Sequence, residues 1–125
     1  NKNCRDAKGC GWYAAWWNWI KIWLNNCFII PEQFRLNGKI IKVIIDDDCC
    51  NAHGFVGEAD FTEKVITRCD KYAGKRIKKP EKEKTYYHEL IHMILDSMGK
   101  HNLKYNEGFV EEFAQRLYEY EKTKV

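Results

Sequence analysis

The sequence predicts an α+β fold: a small antiparallel sheet followed by two packed helices, preceded by a Trp-rich segment of different character. Three observations carry this reading. Apolar runs rich in β-branched and aromatic residues gather between residues 33 and 68, separated by turn residues. Two stretches with helical apolar periodicity follow, from about residue 81 to the end. The strands come first and the helices follow, which is the layout of an α+β arrangement. At 125 residues the chain has room for one core and not two.

The first element is the least orderly. Residues 11–30 read GWYAAWWNWIKIWLNNCFII and hold all five tryptophans of the chain. The run nearly reaches bilayer length, but Asn18, Lys21, Asn25 and Asn26 interrupt it, which disfavours a spanning helix. Three readings stay open: a helix lying on a membrane surface, an appended helix covering one side of the core, or a segment outside the natural domain. Composition changes abruptly at Pro31, so residues 1–28 are treated as a separate segment and take no part in the functional reading.

From Pro31 the pattern is regular. Two apolar runs flank Asn37-Gly38, a strong hairpin signal, over Gln33 to Asp46. Asp46 to Gly54 reads as a polar loop. Phe55 to Arg68 fits one or two strands with a break near Thr62-Glu63, and as a plain strand it would put Phe55, Val56 and Phe61 in the core. Pro80 precedes a helix from about Glu81 to Met98, closed by Gly99 as a left-handed cap. A loop through Asn102 and Asn106 leads to a last helix, roughly Glu107 to Lys122. On the first helix Tyr87, Leu90, Ile91, Ile94, Leu95 and Met98 form an apolar stripe. On the second, Phe109, Val110, Phe113 and Leu117 do so, and the two stripes can pack together.

Charge and cysteines narrow the function classes. A net charge of +3 is too small to argue for nucleic acid. The basic run from Lys71 to Lys84 has no aromatic residue after Tyr72 on which bases could stack, so it reads as a solvated connection. Six cysteines show no framework spacing and no Cys-x-x-Cys pair, and no secretory signal is evident. The expectation is reduced thiols in a cytoplasmic compartment. Nothing in the sequence bears on oligomeric state.

Residues 88–92, His-Glu-Leu-Ile-His, carry the chemistry. On a helix, i and i+4 lie on one face, so His88 and His92 can point two imidazoles at one metal ion. Glu89 stands beside the first ligand, placed to act as general base for a metal-activated water; this is the zincin arrangement. Zinc needs a third protein ligand to leave one open position. Asp96 continues the row, yet it lies about 12 Å along the helix from His88, at 1.5 Å per residue. One ion cannot reach both, so Asp96 is a supporting or helix-end group. The third ligand then comes from beyond Gly99, with Glu107 preferred over His101 and His101 over Glu111.

Asn106-Glu107-Gly108-Phe109-Val110-Glu111-Glu112 resembles gluzincins, in which an Asn-Glu pair on the following helix supplies the third ligand. His101 just past a glycine is similar to the metzincin ending, except that the glycine comes a full turn later. Glu111, at i+4 from Glu107, could orient a histidine ligand. From Ile30 to Tyr120 the chain resembles small phage- and prophage-encoded zinc metallopeptidase-like proteins. The shared features are the Ile-Pro opening, the Gly-Lys-Ile hairpin, Gly57-Glu58-Ala59-Asp60, the His-Glu-Leu-Ile-His helix ending Ile-Leu-Asp-Ser-Met-Gly, and Asn-Glu-Gly-Phe-Val with Phe113-Ala114. A more distant likeness is to the ImmA/IrrE peptidases.

The resemblance implies a minimal zincin-like metallopeptidase domain over residues 29–125 that hydrolyses peptide bonds in the cytoplasm, in the host cell if phage-encoded. Zn2+ would be held by His88, His92 and Glu107, with Glu89 as general base. Oxyanion donors would come from His101, Tyr105 or Tyr86, and a protein or peptide substrate would lie extended along Gly57 to Glu63. The alternative is a non-catalytic zinc-binding structural or protein-interaction domain. No nucleic-acid partner is expected, and membrane-surface contact would involve only the Trp-rich segment.

Overall fold

The structure is a computed structural model that describes residues 29–125; the readings of the Trp-rich segment fall outside them. Residues 30–118 form one compact α+β unit, a small sheet with helices packed on it. Among the described residues no helix is long and apolar enough to cross a membrane.

Strands β1 (Gln33–Leu36) and β2 (Lys39–Ile45) form the expected hairpin. Asn37 and Gly38 both take positive φ, 52° and 78°, as the tight two-residue turn that suits twisted strands requires. The polar run after β2 is not a loop but a helix, α1 (Asp47–His53). Its signals are local: the Asp46 side chain accepts from the Cys49 N–H at 3.0 Å, Asp47 and Asp48 occupy the first turn, and Gly54 closes the end in the left-handed region. Polar composition hid a capped helix whose single buried residue is Cys50.

Helix α1 carries the chain past the neighbouring strand position to the far edge of the sheet. There β3 (Gly57–Asp60) and β4 (Val65–Arg68) make a second hairpin, closed by Asp60 accepting from the N–H groups of Thr62 and Glu63. The sheet order is β1-β2-β4-β3, so β4 runs parallel to β2, with Val43 opposite Ile66. The sheet is therefore mixed, not wholly antiparallel. A crossover through even a short helix permits what a direct hairpin cannot. Within the basic connection, Lys71–Tyr72 (β5) and Lys75–Arg76 (β6) pair as a small separate hairpin.

Helix α2 (Lys79–Ser97) starts with Pro80 in its first turn and ends at Met98, followed by Gly99 at φ 71°. It packs on β3 and β4, while the short helix α3 (His101–Lys104) and helix α4 (Glu107–Thr123) follow it in the chain. Contacts on more than one side spread its burial beyond a single stripe. Tyr86, Tyr87, Ile91, Met93 and Leu95 are buried with Ile41, Val43 and Ile66 of the sheet, whereas Leu90 and Ile94 are half-buried and Met98 is exposed. On α4 the buried pair is Val110 and Ala114; Phe113, expected inside, is 48% exposed and meets the edge of Phe109.

The described cysteines Cys49, Cys50 and Cys69 are free. Burial, with Cys69 nearby, pushes the Cys50 thiol up to about 12, which leaves it unreactive as a nucleophile.

Candidate metal centre

Two helices each present a pair at i and i+4. Helix α2 offers His88 and His92, whose rings lie 4.9 Å apart between centroids. Helix α4 begins with Glu107 and offers Glu111 one turn on. The N-terminal turn of α4 is set by Asn106, whose side chain accepts from the Phe109 N–H at 3.1 Å. That cap aims Glu107 back at α2. One Glu107 oxygen lies 3.0 Å from His88 Nε2, and the other lies 3.4 Å from His92 Nε2. One donor atom from each of His88, His92 and Glu107 falls within 4.8 Å of the other two.

The imidazoles are held from behind. His92 is buried, and its Nδ1 lies 2.7 Å from the backbone carbonyl of Lys104. A carbonyl can only accept, so Nδ1 carries the proton of this bond and Nε2 is the ring nitrogen that faces the site. His88 Nδ1 lies 2.8 Å from a Glu111 oxygen, and Glu111 also accepts from Gln115 at 2.9 Å. Burial pulls the His88 pKa down, but Glu111, Glu89 and Glu107 outweigh it and hold it above the usual imidazole range. Glu111 is correspondingly held low, first by His88 and then by Gln115.

The residues fit a divalent cation. Two imidazole nitrogens and a carboxylate are a donor set that zinc accepts, and each histidine is oriented through its second nitrogen. Glu89 is buried beside His88 and lines the same cleft. Burial, joined by repulsion from Glu107 and Glu58 and opposed by His88, pushes its carboxyl up to about 7. A carboxyl near neutrality can take up and give back a proton.

The cleft has a volume of about 380 Å³, and its far wall is the edge strand. Gly57, Glu58 and Ala59 of β3 and Phe61 just beyond it face the metal helix. Gly57 belongs here for lack of space. A Cβ on it would collide with the Thr85 methyl and press Glu89 Cγ at 3.3 Å.

Of the residues singled out from sequence, His88, Glu89, His92 and Glu107 come together, and Glu111 stands behind His88. His101 is exposed on α3 and does not line the cleft. Tyr105 lines the cleft, while Tyr86 is buried in the core with its ring edge-on to Phe34. Asp96 stays off the metal face; it pairs with Lys104 at 2.6 Å and Lys64 at 3.1 Å. Phe61 leaves the core for the cleft, where it meets His92 and Tyr105, and Val56 is exposed. Lys104, which lines the cleft and whose carbonyl meets His92, is the residue of the candidate site that sequence reasoning missed. A lysine ordinarily signals surface, and no periodicity marks a backbone carbonyl as the partner of a histidine. Against known proteins, the chain matches no family model, no curated protein and no solved structure.

Proposed function

We propose that this protein is a zinc-dependent peptidase with a minimal zincin-like fold, in keeping with its resemblance to small phage-encoded metallopeptidase-like proteins. One observation carries the reading: His88, His92 and Glu107 converge within 4.8 Å beside a buried Glu89, across a cleft from an exposed strand edge. Zinc held by His88, His92 and Glu107 would supply Lewis acidity, lowering the pKa of water and polarising a carbonyl.

The remaining work falls to the chain. Among the described residues strand β3 is at the sheet edge, so its outer backbone groups can pair with an extended peptide laid along Gly57 to Asp60. Glu89 accepts the proton of the attacking water and returns it to the leaving nitrogen. Glu111 and the Lys104 carbonyl keep the two imidazoles in their binding tautomers. Tyr105, at the cleft wall, is the candidate donor to the developing oxyanion.

The test compares wild type with Glu89→Gln on a diverse peptide library, with zinc content measured by mass spectrometry. A peptidase binds zinc in both forms and loses cleavage in the variant by on the order of 100-fold or more. Zinc-loaded wild type that cleaves nothing would favour the non-catalytic zinc-binding alternative. Undiminished zinc in Glu107→Ala would remove Glu107 from the ligand set.

A further inference from the structure

Helix α3 has four residues, too few to be stable by itself. His101, Asn102 and Leu103 are exposed, and Lys104 is its single buried residue. Beside the Lys100 N–H bond to the Leu95 carbonyl at 2.9 Å, that lysine is the one buried side chain that seats this helix. The Lys104 ammonium lies 2.6 Å from one Asp96 oxygen and 4.1 Å from the centre of the Phe61 ring. The other Asp96 oxygen is taken by Lys64 at 3.1 Å, from the turn between β3 and β4. The side chain is thus clamped by Asp96 at the end of α2 and by the Phe61 ring in the β3–β4 turn. Its own backbone carbonyl is the acceptor for His92 Nδ1 at 2.7 Å.

We propose that Asp96 and Lys104 are positioning residues of the metal centre: the ion pair seats α3, and the seated Lys104 carbonyl sets the tautomer and direction of His92. The inference rests on the zinc reading above. A buried ion pair is a poor device for stability, because desolvation cancels much of its attraction. It is a good device for direction, since an ammonium has one satisfactory place among a carboxylate, a ring face and a fixed backbone. Phe61 completes the cradle, its ring edge-on to His92 at 6.2 Å between centroids.

The experiment measures zinc affinity by chelator competition, the absorption bands of the cobalt-loaded protein, and thermal melting. It uses wild type, Asp96→Asn, Lys104→Met, and the double variant. Zinc affinity is expected to fall on the order of 10–100-fold in each variant at temperatures where it is folded, with a changed cobalt spectrum. The double variant should lose no more than the worse single, because one clamp is removed once. It leaves no unpaired buried charge, so it decides the matter if a single variant does not fold. Unchanged zinc affinity and cobalt bands in a folded variant would overturn the inference and leave the ion pair purely structural. Wild type that takes up no zinc would overturn the zinc reading as well.

Discussion

At the scale of single residues, the site depends on atoms that are absent as much as on those present. Gly57 lets β3 approach α2 where Thr85 and Glu89 project. Gly57→Ala is expected to destabilise the fold by about 1–3 kcal/mol, as overpacking does. Urea unfolding measures this. Thr85→Ser in the same chain removes the colliding methyl and should restore most of the loss; no recovery would place the cost elsewhere. His88 and His92, with Glu89 beside the first, were legible in the sequence because a helix places i and i+4 on one face whatever surrounds it, whereas Glu107 was reached through the likeness to gluzincins. Lys104 was not legible, since its role lies in a carbonyl that every residue possesses.

At the scale of elements, the candidate centre draws on α2 and α4, which meet through His88 with Glu107 and Glu111 and through Tyr87 with Tyr118. Val110 and Ala114 are the buried positions of α4, one turn apart. Ala114→Leu is expected to cost about 1–3 kcal/mol and to weaken zinc binding, because it displaces the helix that bears Glu107 and Glu111. Phe113→Ser should cost less than about 1 kcal/mol, since Phe113 is half exposed. Melting temperatures and zinc titrations of both variants check this pair. The apolar stripe read from periodicity holds Phe113 and omits Ala114, because a wheel weighs hydrophobicity and cannot weigh clearance. The hairpin at Asn37-Gly38 was readable because its turn chemistry is local. Helix α1 was missed although its caps are local too, because an Asp-rich run reads as loop until Gly54 is recognised as its C-terminal cap. The parallel β2–β4 pairing has no local signal, for strand order follows from where α1 carries the chain.

At the scale of the whole molecule, ion pairs link distant parts of the sequence and make stability depend on pH. Burial works against ionisation of Asp70 and Asp96, yet Lys82 with Arg68, and Lys104 with Lys64, overcome it and hold both carboxyls below their ordinary value. A carboxylate with a depressed folded pKa adds stability that is present above its unfolded pKa, near 4. That stability is lost as pH falls through the lower folded pKa. Urea midpoints should therefore hold steady from neutral pH to about pH 5 on account of these groups, then decline on further acidification. Asp70→Asn should start lower at pH 7 and lose less between pH 7 and pH 3 than wild type. Equal losses in the two proteins would discount this pair.

The sequence by itself determined that two imidazoles share one helix face with a carboxylate beside the first, that a helix begins near Glu107, and that Asn37-Gly38 closes a hairpin. These follow from helical and turn geometry, which a few neighbouring residues dictate. Tertiary structure alone brought Glu107, the residue preferred from sequence, within 4.8 Å of both histidines, left His101 outside the cleft, and set Glu111 behind His88. It also decided that an edge strand needs a glycine to close the cleft, and that a buried lysine carbonyl directs His92. Those outcomes depend on distances between segments far apart in the chain, which packing sets and local preference does not.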